Sequence, residues 1–85
     1  MTDMPMKTAR KAAMLVNFIK PILAGNEPEV QGAVLADLLA IWLAGHAPPV
    51  RETVLRAHIC GMWDLIAINE KLIFGEGGWP GRKNG

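Results

Sequence analysis

The chain has 85 residues, of which 51% are hydrophobic and 20% charged, and a formal net charge of +1. That length allows one small domain, the apolar content excludes a disordered chain, and the single cysteine, Cys60, excludes a disulfide scaffold. A charge so near zero excludes a strong overall field for nucleic acid, while a mean hydropathy of +0.20 is high for a domain with so thin a core.

The first predicted element is a helix over residues 5–24, with Asp3 placed to cap its N-terminus. Ala9, Ala12, Leu15, Val16, Ile19, Ile22 and Leu23 share one face at helical spacing. Lys7, Arg10, Asn17 and Lys20 lie opposite, and Met14 and Phe18 stand apart from the stripe, toward the polar side. Pro21 either ends this helix at Ile19 or kinks it for one further turn. The cations before Ala12-Ala13-Met14-Leu15-Val16 imitate a secretion signal. Asn17 and Lys20-Pro21 interrupt the apolar run, and no small-x-small cleavage pattern follows, so an amphipathic helix is the expectation.

A second helix is predicted over 27–44. Asn26 and Glu29 have capping-box spacing, Pro28 falls in the first turn, and Gly45 is placed as the residue after the last turn. From Val30 to Ala44 only Gln31, Gly32 and Asp37 interrupt the apolar residues. The run is too short, and too charged at Asp37, to span a membrane, so no transmembrane span is expected. A helix apolar nearly all round asks for cover on most sides, and Trp42 is assigned to a core.

After His46-Ala47-Pro48-Pro49 a third helix is predicted over 49–74, about 39 Å long at 1.5 Å per residue. Val50, Val54, Ala57, Gly61, Leu65, Ile68 and Leu72 form a stripe resembling a coiled-coil seam, in which Ala57 and Gly61 allow close approach of another helix. Leu55, Ile59, Met62, Ile66 and Ile73 form a second stripe, and Trp63 and Phe74 project from the otherwise polar side. Glu52 and Arg56 are spaced for an ion pair. Gly75 stops the helix, and residues 75–85 read as a flexible glycine-rich tail anchored by Trp79.

The expected fold is therefore all-α: a single domain over 1–85, a three-helix antiparallel bundle paired into a two-fold dimer. A three-helix monomer hides about one stripe per helix, and here there is a surplus. The expected interface is Ala57, Gly61, Met62, Trp63, Ile66 and Phe74.

The chemistry-bearing residues are sparse. His58 and Cys60 are two apart on a helix, point about 200° from each other, and cannot share an ion. His58 and Met62 are properly spaced but too few for a metal site. His58 is expected to be half-buried and hydrogen-bonded, and Cys60 to be an inert thiol in a reducing compartment. Gly75, Gly77 and Gly78 follow a helix, not a strand, and make no phosphate loop. No catalytic residue, cofactor or metal is expected. Residues 1–25 hold four basic groups and one acidic, whereas 26–81 hold three basic and seven acidic. The basic first helix suggests a DNA backbone or an anionic membrane as possible contacts.

The leading expectation is a cytoplasmic, non-enzymatic module that self-associates and acts through protein contacts as an adaptor, regulator or inhibitor, with room for a different protein as partner. The alternative is a nucleic-acid accessory protein using Lys7, Arg10, Lys11, Arg82 and Lys83; helices two and three are too apolar to read bases, which counts against it. A ligand- or metal-binding bundle centred on His58 is the third reading.

Overall fold

The computed structural model describes residues 6–81, and these are helical with no strand among them. The elements are α1 (Met6–Ala24), α2 (Pro28–Ala44), a 3-10 turn (Pro48–Val50) and α3 (Arg51–Phe74). The three helices fall where the apolar periodicity places them. Asp3, Pro5, Arg82 and Lys83 lie outside the described residues. The chain divides between His46 and Ala47 into two units, the first carrying α1 and α2, the second the 3-10 turn, α3 and the segment after it.

In the first unit, α1 passes through Pro21 and ends at Ala24. Of the two outcomes expected at the proline, the helix takes the longer. The cost is one backbone donor, because Pro21 has no N–H for the Asn17 carbonyl. The turn that follows departs from the expected capping box. Glu27, not Asn26, is the N-cap of α2, and no side chain bonds there. Asn26 instead turns back to α1: its Nδ2 donates to the Ile22 carbonyl at 3.0 Å, and its backbone N–H donates to the Leu23 carbonyl at 2.9 Å. Gln31 Nε2 donates to the same Leu23 carbonyl at 2.9 Å and to the Asn26 carbonyl at 2.8 Å. The unpaired carbonyls ending α1 thus recruit the amides that the sequence offers to α2. Pro28 in the first turn of α2 removes one donor that would otherwise need a cap.

At the other end of α2, Gly45 sits at φ −78°, an ordinary right-handed helical geometry, with its N–H directed at the carbonyls of Ile41 and Trp42. Gly45 thus follows the last turn of α2 as expected, in right-handed geometry.

In the second unit, Pro48 and Pro49 supply preset φ angles for a 3-10 turn, and the α-helix proper starts at Arg51, two residues later than predicted. α3 runs 24 residues to Phe74, about 36 Å. It ends at Gly75, with φ 88° and ψ −176°, a backbone region open essentially to glycine alone. Gly78 at φ 73° closes a turn by donating its N–H to the Gly75 carbonyl at 2.9 Å. The Trp79 N–H then donates to Glu70 Oε2 at 2.6 Å, and the indole meets the Phe74 ring edge-on at a centroid distance of 5.0 Å. Read as a flexible tail, the segment has a defined path over Gly75–Gly81, tied back to the last turns of α3.

Neither unit, taken by itself, buries a side chain among the described residues. In the first, Ala9, Leu23, Gln31, Leu39, Leu43 and His46 are half-covered; in the second, Arg51, Val54, Leu55, Glu70 and Gly78. Trp42, assigned to a core from the sequence, is 45% exposed. His46 lies 4.9 Å away, edge-on, with Nδ1 2.9 Å from the Trp42 carbonyl oxygen. The apolar pattern of a helix states which faces need cover; it does not supply the cover.

Candidate functional site

The six residues singled out as an interface all lie on α3, and all six are exposed. A helix turns 100° per residue, so they form three rows, not one. Ala57 and Gly61 belong to the seam with Leu65, Ile68 and Leu72. Met62 and Ile66 belong to the second stripe with Ile59 and Ile73, roughly a third of a turn away. Trp63 and Phe74 lie a further quarter turn on, about 16 Å apart along the axis. No single neighbouring helix can touch all six. Met62, Trp63 and Ile66 form the tightest group, with exposures of 41%, 67% and 48%. Phe74 is engaged with Trp79, an arrangement that spacing along α3 could not reveal.

The seam has room for a close approach. A Cβ built on Gly61 meets nothing within 4 Å, so no neighbour among the described residues explains a glycine there. Leu65, Ile68 and Leu72 of the same row are 56%, 55% and 76% exposed. α2 presents an arc of large side chains, Val34, Leu35, Leu38, Ile41 and Trp42, all exposed. Its remaining side holds the half-covered Leu39 and Leu43, then Ala33, Ala36, Ala40 and Ala44 with Asp37.

The polar candidates are scattered. Glu52 and Arg56 form the expected pair, Oε2 to Nη2 at 2.6 Å, but both are three-quarters exposed, so it contributes a few tenths of a kcal/mol. His58 is exposed, which corrects the half-buried reading. Cys60 is an exposed free thiol. Among the described residues no three His, Cys, Asp or Glu side chains gather as metal ligands, and no helix is long and apolar enough to cross a membrane. An open cleft of ≈ 220 Å³ lies between α3 and the turn after it, lined by Ala67, Glu70, Lys71, Glu76, Gly77 and Gly78. Glu70, which organises that turn, escaped the sequence reading because its partner lies nine residues on, beyond a helix end.

On α1, Lys7, Arg10 and Lys11 are exposed, as are Met14 and Phe18. These five share the side of the helix away from the Ala12–Ile19 stripe. The other two members of the proposed anion-contact set, Arg82 and Lys83, lie outside the described residues. Compared with protein-family models, curated proteins and solved structures, the chain matches none.

Proposed function

We propose that this protein is a small self-associating interaction module whose helices collapse into an antiparallel bundle and pair with a second copy about a two-fold axis. The reading places it among adaptors, regulators or inhibitors that work by contact, without catalysis or cofactor. A reducing, cytoplasmic setting suits an exposed, unpaired thiol at Cys60. One observation carries the proposal: α3 holds two uncovered apolar rows roughly a third of a turn apart, flanked by Trp63. A bundle axis can accept one of them fully. The other is left to water, and contiguous apolar surface of that kind marks a contact site.

Magnitudes set the strength of the pairing. Ile59, Met62, Trp63, Ile66 and Ile73 are 42%, 41%, 67%, 48% and 70% exposed. Covering them in both copies returns on the order of 10 kcal/mol. Association costs about 4–15 kcal/mol in lost freedom. The α3 row alone therefore gives a weak pair, and the apolar faces of α2 must contribute to a tight one.

Sedimentation equilibrium tests this directly. The expected result is a monomer–dimer equilibrium that Ile66→Glu shifts toward monomer. A concentration-independent monomer for the unaltered chain refutes self-association. A monomer that forms a stoichiometric complex with a different protein transfers the same surface to that partner.

A further inference from the structure

α1 combines two properties that its apolar stripe does not explain. Between Met6 and Ala24 it carries four cations, Lys7, Arg10, Lys11 and Lys20, and no anion. On the same side as three of those cations stand two of the more exposed large apolar side chains, Met14 at 61% and Phe18 at 70%. At 100° per residue, Arg10, Met14, Lys7, Phe18 and Lys11 fall within an arc of about 100°. Along the axis the cations occupy the first turn and a half, and the apolar pair the next two turns. This side adjoins the Leu15–Ile19–Ile22 stripe at Lys11 and Phe18 and runs away from it through Lys7, Met14 and Arg10, so packing of that stripe leaves most of it available.

We propose that this face of α1 binds the surface of an anionic phospholipid bilayer. A lipid interface satisfies both halves of the face at once. Headgroup phosphates meet Lys7, Arg10 and Lys11, and the Phe18 ring and Met14 thioether enter the boundary of the acyl region. Lysine stems lie along apolar surface while their ammonium groups stay wet, which lets Lys7 and Lys11 flank an inserted Phe18. A nucleic-acid duplex takes the cations and leaves Met14 in water. A second copy of the same face, related by a two-fold axis, offers those cations no anion. Binding requires no spanning segment, in keeping with the absence of any helix long and apolar enough to cross a membrane among the described residues. It is independent of self-association, which uses other helices.

Flotation of the whole chain with vesicles decides the matter. With phosphatidylcholine vesicles containing phosphatidylserine the protein is expected to float; with phosphatidylcholine alone it stays at the bottom. Lys7→Gln/Arg10→Gln/Lys11→Gln should weaken the binding roughly a hundredfold, and Met14→Ser/Phe18→Ser by at least roughly tenfold. Lys71→Gln on α3 should leave it unchanged, which separates a face from a general charge effect. All these positions are exposed, and circular dichroism verifies that helix content is retained. Absence of flotation overturns the proposal. So do equal binding to neutral vesicles, binding untouched by Met14→Ser/Phe18→Ser, or binding of duplex DNA without binding of vesicles.

Discussion

Gly75 and Gly78 sit six and three residues before the last described position, yet each is held by a different constraint. Gly75 has φ 88° and ψ −176°, where a side chain costs about 1–3 kcal/mol whatever surrounds it. At Gly78 the difficulty is also one of space: an added Cβ would lie 2.5 Å from Glu70 Oε2. That oxygen accepts the Trp79 N–H, so an alanine there must push away the acceptor that fixes the turn. Both Gly75→Ala and Gly78→Ala are therefore expected to release Trp79 from Phe74, read as loss of hydrogen-exchange protection at the Trp79 amide. Glu70→Ala should reproduce the exchange effect with both glycines intact, and Glu70→Gln, which keeps an acceptor oxygen, should lose much less. Protection unchanged in Glu70→Ala would mean that the ring contact, not the carboxylate, holds the turn. At Cys60 the exposed thiol is expected to react with a disulfide reagent under native conditions at a rate close to that in denaturant; strong protection would show cover that the chain alone does not provide.

At the scale of elements, the helices and the residues at which they end were legible, and the hydrogen bonds that organise their caps and turns were not. Apolar spacing places all three, because the 3.6-residue period is written over many residues and survives individual exceptions. An end depends on which of several donors reaches which carbonyl, and Asn26 shows how that choice is hidden. Its spacing to Glu29 suits an N-cap of α2, but the carbonyls of Ile22 and Leu23 offer it partners at the end of α1. Gln31, a mere interruption of an apolar run in the sequence, makes two hydrogen bonds across the turn. Gln31→Leu should consequently loosen the α1–α2 turn, despite adding apolar surface, by about 1–2 kcal/mol. Amide exchange at Asn26 and Gln31 would report it, and unchanged exchange would assign the turn to the backbone alone. Pro21→Ala tests the interior of α1. Restoring the N–H toward the Asn17 carbonyl, and removing a residue that costs about 3 kcal/mol inside a helix, should raise the helicity and stability of the first unit. Little gain in ellipticity or melting temperature would mean that a bend at Pro21 is built into how α1 packs.

For the molecule as a whole, the sequence shows which faces are apolar but gives no account of what covers them, because cover is a property of the assembly. The six interface residues illustrate both sides. Their exposure follows from the surplus of apolar positions on α3, but their separation into three rows around the helix shows that they cannot share one contact. Gly61 separates the possibilities most cleanly. Within the chain a Cβ at this position meets nothing within 4 Å, so Gly61→Ala removes an unfavourable helix residue and should stabilise the chain by up to about 1 kcal/mol. The gain should appear at low concentration, where a single copy is measured. If the seam of Ala57, Gly61, Leu65 and Ile68 is where a second helix comes close, Gly61→Leu should keep the low-concentration helicity and abolish the dimer. Met62→Glu should weaken the dimer instead if the second stripe makes the contact. Thermal melts at several concentrations distinguish them, since a protein stabilised by its own pairing melts higher as concentration rises. Loss of that dependence in Gly61→Leu assigns the contact to the seam, and its loss in Met62→Glu alone assigns it to the second stripe. A melt that is independent of concentration in the unaltered chain removes the dimer from consideration.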